Sequence, residues 1–98
     1  MNTLVIEQDL AVSSVAVTGD SLSLELSDGR SLSVPLGWFP RLLHGTSEER
    51  GRWELIGRGS GIHWPDLDED ISLEGLLAGR SSAESQQSLD RWLKSRKP

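Results

Sequence analysis

The sequence predicts an α+β fold: a small antiparallel β-sheet, mostly N-terminal, covered by short helices and followed by a C-terminal helix. Three observations carry that expectation. Residues 21–26, SLSLEL, alternate strictly between leucine and polar residues, which is the period of a half-buried strand. The flanking stretches VSSVAV (12–17) and SLSV (31–34) are also apolar at alternate positions and are joined to it by Gly19-Asp20 and Asp28-Gly29, where a tight turn is cheap. Beyond Pro35 the alternation stops, and helix start and stop signals take over.

In chain order, Val15 and Val17, then Leu22, Leu24 and Leu26, then Leu32 and Val34 form one oily face of a three-stranded meander. A meander that small needs a cover. The cover begins in LGWFPRLLHG, where Pro40 sits near the first turn of a short helix that Gly45 ends, with Leu36, Phe39, Leu42 and Leu43 along one side. Thr46 and Glu49 have capping-box spacing and open a second short helix that ends at Gly51. Arg52–Ile56 and Gly61–Trp64 read as a second hairpin across GRGS, and Pro65 stops its second strand because proline cannot donate to a ladder. An acidic turn follows. Ser72 caps LEGLLA, with Glu74 in the first turn and Gly79 after the end. Ser81 and Glu84 form another capping-box pair, which opens a last helix to about Ser95 with a thin stripe of Leu89, Trp92 and Leu93. Residues 1–79 are thus expected to form a single α+β domain, and 80–98 a basic amphipathic helix and tail.

Length and composition narrow the function classes. A chain of 98 residues suits one compact domain, and a domain this small buries roughly 60–65% of its unfolded surface. The absence of cysteine rules out disulfides, thiolate nucleophiles and sulfur-ligated metals, and fits a reducing cytoplasm. The N-terminal MNTLVIEQDL has no basic region and is not expected to be a signal peptide. No apolar run approaches the roughly 20 residues of a membrane helix, so a soluble protein with no membrane partner is expected. The net charge of −5 conceals an asymmetry: residues 1–79 carry five arginines and 13 acids, whereas 80–98 carry Arg80, Arg91, Lys94, Arg96 and Lys97 against Glu84 and Asp90. An acidic body repels phosphate backbones and suits a basic protein partner.

DGRSLSVPLGWFPRLL, then Arg52-Trp53, then GIHWPDLDEDISLEGLLAGR together make a long and specific pattern. Over about residues 12–80 the chain resembles the small bacterial family named domain of unknown function 2442, and SLDRWL in the tail is similar to longer members. The resemblance implies an α+β fold. It also implies that some relatives are fused to helix-turn-helix domains, and that some are encoded beside a second small protein as the antitoxin-like half of a toxin–antitoxin-like pair. It carries over no catalytic residue. With no room for a fused helix-turn-helix, sequence-specific DNA reading by this chain alone is not expected.

The candidate sites fall to structural explanations one by one. Asp66, Asp68 and Asp70 are spaced like the start of a calcium loop, but the sixth and twelfth positions hold Ile71 and Leu77 instead of Gly and Glu. A transition-metal site at His63 lacks further nitrogen or sulfur ligands nearby, since His44 lies in a different element. Acids just ahead of a helix act as caps or receive arginines, here Arg41 and Arg52. GRGSG has a strand after it, not the helix N-terminus that phosphate binding needs. No nucleophile elbow occurs. His63 is expected to be a satisfied structural histidine, and Trp38, Trp53 and Trp64 to be core, with the Trp64 indole N–H needing a partner. Trp92 has two open readings: docking on its own domain, or anchoring another chain.

The expected function is therefore non-catalytic protein recognition of the antitoxin type, in the bacterial cytoplasm, with no cofactor and no enzymatic activity. Asp66, Asp68, Glu69, Asp70 and Glu74, with Glu48 and Glu49, would face a basic partner. Leu89, Trp92 and Leu93 would supply an apolar anchor, either to that partner or across a homodimer formed through the C-terminal helix. The alternatives are a DNA-binding autoregulator using Arg80, Arg91, Lys94, Arg96 and Lys97, and a small-ligand or metal site at His63, Asp66, Asp68 and Asp70.

Overall fold

The computed structural model describes residues 10–96. The reading of MNTLVIEQD and the charge of Lys97 fall outside them. The chain runs through β1 (Val12–Val17), β2 (Ser21–Leu26), β3 (Ser31–Pro35), α1 (Pro40–Leu43), α2 (Ser47–Gly51), β4 (Glu54–Ile56), β5 (Gly61–Trp64), β6 (Glu69–Ser72), α3 (Leu73–Leu77) and α4 (Gln86–Ser95). The architecture is α+β: two antiparallel three-stranded meanders, β1-β2-β3 and β4-β5-β6, with short helices and a C-terminal helix.

In the first sheet Val12 pairs with Leu26, Val15 with Leu24 and Val17 with Leu22, while Leu22 and Leu24 face Val34 and Leu32 on the other side. Val12 and Val15 are an odd number of residues apart yet share a face, because a bulge between Val12 and Ser14 takes up one residue. The opposite face is tied by serines: Ser23 and Ser33 hydroxyls lie 3.2 Å apart, and the Ser31 hydroxyl donates to Glu25 at 3.0 Å.

The leucine face joins Leu36, Phe39 and Leu42 and then Ile62, Trp64, Leu67, Ile71, Leu73 and Leu76 in one hydrophobic core. Trp64 is fully buried and its indole N–H donates to the Arg50 carbonyl at 3.0 Å. Arg50 in turn donates to the Leu42 and Leu43 carbonyls at 2.8 and 2.6 Å, closing the end of α1. The Thr46/Glu49 capping box opens α2 as the spacing predicts, and Ser72 caps α3.

Three expectations need correction. Residues 69–72 form a strand, β6, where only a turn leading into a helix was expected. Four residues with a single apolar position, Ile71, show no readable alternation. The second hairpin begins at Glu54, not Arg52, because the Arg52 N–H still bonds the Glu49 carbonyl at the end of α2. The last helix starts at Gln86 with Ser85 as its cap, and Ser81/Glu84 make no capping box. Glu84 is held by Arg41 instead.

The two sheets meet at the turn between β4 and β5. Gly57, Arg58 and Gly59 all have positive φ, and a Cβ on Gly59 would lie 2.6 Å from the Val12 carbonyl oxygen and 2.9 Å from Ala11 Cβ. Gly59→Ala meets both a left-handed backbone and a backbone clash, and is expected to cost on the order of 2–3 kcal/mol in urea denaturation. Gly37→Ala, which meets nothing within 4 Å, should stay within about 1 kcal/mol of the parent.

Candidate functional site

The stretch Pro65–Asp70 is a turn that folds β6 back on β5. The Leu67 N–H bonds the Trp64 carbonyl at 3.2 Å, and Asp68 adopts φ +50. Register then separates the acids. Trp64 pairs with Glu69, His63 with Asp70 and Ile62 with Ile71. Directly paired residues share a face, so Glu69 falls on the core side with Trp64, Ile62 and Ile71, and Asp70 on the outer side with His63.

Each exposed acid has a separate fate. Asp66 accepts from Arg52 Nε at 2.5 Å. Asp68 lies 3.5 Å from Arg41 Nη1 and keeps 88% of its side chain exposed. Asp70, 70% exposed, hydrogen-bonds His63 Nδ1. Glu74, 91% exposed, is 3.7 Å from Arg80. Asp66, Asp68 and the His63–Asp70 pair therefore diverge, and among the described residues no group of three or more His, Cys, Asp or Glu is placed to hold a metal ion. Of the two acids expected to receive Arg41 or Arg52, Asp68 meets Arg41, whereas Asp70 takes His63 and Arg52 goes to Asp66 instead. Asp68 and Asp70 do not cap α3, whose first turn is closed by the Ser72 hydroxyl alone.

The family model described as protein of unknown function, DUF2442, matches residues 12–82. The chain belongs to the DUF2442 family. No curated protein matches it. Two solved structures share its fold. A protein of unknown function from Rhodospirillum rubrum superposes with a TM-score of 0.66 at 24% identity, over 80% of this chain and 96% of that one. An uncharacterized protein from Chromobacterium violaceum, solved by NMR, gives 0.67 at 23% identity, over 91% of this chain and 82% of that one. The divergent acids lie inside the DUF2442 span, whereas α4 lies beyond it.

In this DUF2442 chain α4 docks on its own body through two ion pairs. Arg41 grips Glu84 through Nε at 2.9 Å and Nη2 at 2.6 Å and donates Nη1 to the Asp68 carbonyl at 3.2 Å. Arg96 grips Glu49 at 2.6 and 3.0 Å. Both guanidinium groups lie over the Trp92 ring, 5.1 and 4.6 Å from its centre, in cation–π range. Leu89 is only 8% exposed, Trp92 packs against the core and Leu93 is half-buried. The tail helix docks in cis, so of the two open readings for Trp92 the structure adopts the first. Glu49, expected on a partner-facing surface, is consumed by Arg96 and the Thr46 backbone, which hold its carboxyl down at about 2. None of these pairings has a local signature: Arg41 and Glu84 are 43 residues apart, Glu49 and Arg96 47.

Glu69 is the anomaly. Burial pushes its carboxyl up to about 7, against the pull of the Arg41 charge, and Glu84 and Asp70 raise it further. Its Oε2 is buried without a hydrogen-bond partner. With Ser82 and Ala83 it separates two depressions, one running toward Phe39 and Leu76 and the other toward Arg41 and Glu84. A carboxyl raised in the folded state binds its proton more tightly there than in the unfolded chain, so stability falls as pH rises from about 4.5 through about 7. Between pH 5 and pH 8 the loss should be about 2 kcal/mol. Glu69→Gln removes this slope and is expected to be the more stable protein at pH 8, as urea midpoints at the two pH values would show.

Proposed function

We propose that this DUF2442 protein is a non-catalytic recognition module, the antitoxin-type member of a bacterial toxin–antitoxin-like pair in the cytoplasm, with a basic protein as its partner. The observation that supports this reading is the divergence of the acids. Asp68, Asp70 and Glu74 project from one short segment with most of their side chains in solvent; Asp68 and Glu74 meet arginines only at 3.5 and 3.7 Å, and Asp70 hydrogen-bonds His63. Such an array cannot concentrate on one reacting atom or ion, but it suits complementary charge on a second macromolecule. The antitoxin assignment itself rests on the gene-pair arrangement that the resemblance implies. Within the tail, Arg96 is engaged by Glu49 and Trp92, and Arg80 sits beside Glu74, which favours a protein partner over a phosphate backbone.

Co-expression with the product of the adjacent gene tests the reading. The two proteins are expected to copurify at low ionic strength and to separate at high salt, and growth inhibition by the neighbour should be relieved by this chain. Asp68→Lys, Asp70→Lys and Glu74→Lys together should weaken the complex at least tenfold. Unrelieved inhibition with no copurification at low salt would overturn the proposal.

A further inference from the structure

We propose that the outer edge of β1 is a pairing surface for β1 of a second copy of this chain, so that two first sheets join into one. The proposal stands apart from the recognition reading. β1 pairs with β2, and among the described residues no strand lies on its other side. The bond from the Thr18 N–H to the Ser21 carbonyl sets the phase of the β1–β2 ladder. Hydrogen-bonded pairs alternate with non-bonded ones, so Ser14 and Ala16 turn their backbone groups toward β2, while Val15 and Val17 turn theirs outward. A groove of about 530 Å³ runs along this edge, walled on its far side by Ser47, Arg50 and Trp53. Gly59 approaches the edge only near Val12.

Edge strands are ordinarily kept from pairing by charge, proline or shortness. β4 is three residues long and carries Glu54, and β3 ends in Pro35. From Ser13 to Gly19 the chain holds neither a charge nor a proline. The one ion lining the groove, Arg50, has its donors on the Leu42 and Leu43 carbonyls, so the groove offers a charged segment no counter-ion and suits an uncharged strand. β1 is itself such a strand. When two copies of β1 run antiparallel about a two-fold axis at Ala16, Val15 meets the partner's Val17 and Val17 meets the partner's Val15. Each pair exchanges reciprocal N–H to carbonyl bonds, because all four residues direct their backbone groups outward. This register satisfies Val15 and Val17 and asks nothing of the bulge between Val12 and Ser14. The valine side chains stay on the core side, where Trp53 also packs, and the exposed Ala16 faces the partner's Ala16 on the solvent side.

The test is sedimentation equilibrium of the full chain. Its mass should climb toward that of two chains as concentration rises to about 1 mM, and a monomer throughout would overturn the inference. Opposite side chains in a non-hydrogen-bonded pair have Cβ atoms about 4.5–5.5 Å apart, so like charges at position 16 repel across the axis. Ala16→Lys and Ala16→Glu, both at an exposed position, should each weaken self-association at least tenfold at low ionic strength, and an equimolar mixture of the two should restore it. Undiminished self-association in both variants, or a mixture no tighter than either alone, would count against the pairing decisively. Should the charged variants fail to fold, Ala16→Cys gives a second readout in a chain that has no cysteine of its own. Oxidation should link two chains through position 16, where the Cα atoms lie about 4.5 Å apart, within disulfide reach. Ser33→Cys, on β3 at the opposite edge, should link at least tenfold more slowly. Equal linking at the two positions would mean that any dimer forms through another surface.

Discussion

Trp64→Ala is expected to lower stability by about 3–5 kcal/mol, which is a large part of the roughly 5–15 kcal/mol typical of a domain. Trp64 is the largest of the fully buried side chains and packs in the core with Ile62, Leu67 and Ile71. The second sheet has few other large groups in the core, so the void cannot close by small shifts. Its indole also binds the Arg50 carbonyl, and Arg50 holds the end of α1. Truncation therefore loosens β5 and the α1–α2 corner together. Trp64→Phe separates the two contributions: it keeps most of the volume, loses the N–H, and should cost about 1–3 kcal/mol. Urea denaturation followed by far-ultraviolet circular dichroism measures both. Equal losses for the two variants would mean that the hydrogen bond, not packing, dominates.

The second large effect is expected at Arg41. Arg41→Ala strips from Glu84, whose side chain is 9% exposed, the cation that grips it, and removes one of the two cations over Trp92. It also withdraws the positive charge that restrains Glu69. Leaving a buried carboxylate unpaired typically costs about 3–5 kcal/mol, and the partial burial here places the expected loss near 3 kcal/mol. Arg41→Met with Glu84→Leu removes both charges and should recover at least half of that loss. Hydrogen exchange localises the effect: amides of α4 should exchange at least tenfold faster in Arg41→Ala, while those of β2 lose protection only through global unfolding. An α4 whose protection falls no more than that of β2 would show that the Arg41–Glu84 pair does not hold the helix. Glu49 gives the acid-side counterpart. Its carboxyl is held at about 2 by Arg96 and the Thr46 N–H, so the stabilisation from this second clamp is complete above about 4.5 and is lost as pH falls toward 2.

Much of the fold was legible in the sequence because it follows local rules. Strict alternation in SLSLEL gave β2 and its oily face, glycine and aspartate turns fixed the hairpins, and Thr46 with Glu49 and Ser72 set two helix starts. Asp68 meets Arg41, one of the two arginines expected for it, but Asp70 is taken by His63, its cross-strand neighbour, and Arg52 pairs with Asp66. The strand Glu69–Ser72 was not legible, because its reason to be extended is a partner strand and not its own pattern.

The same cause hid the candidate site. Glu69 looks like any solvated acid in PDLDED, and only pairing with Trp64 turns it inward. Ser81 and Glu84 have sound capping-box spacing, but Arg41, 43 residues earlier, outcompetes the helix end for the Glu84 carboxylate. Trp92 had two plausible homes until Arg41 and Arg96 closed over it. By itself the sequence determined the α+β class, the strands of the first sheet, the caps of α2 and α3 and the charge asymmetry, since these depend on residues within about one turn or one hairpin of each other. Only the tertiary structure decided which carboxylates are buried, paired or free, because a carboxylate's state is set by whichever strand or cation lies beside it, and those neighbours come from distant parts of the chain.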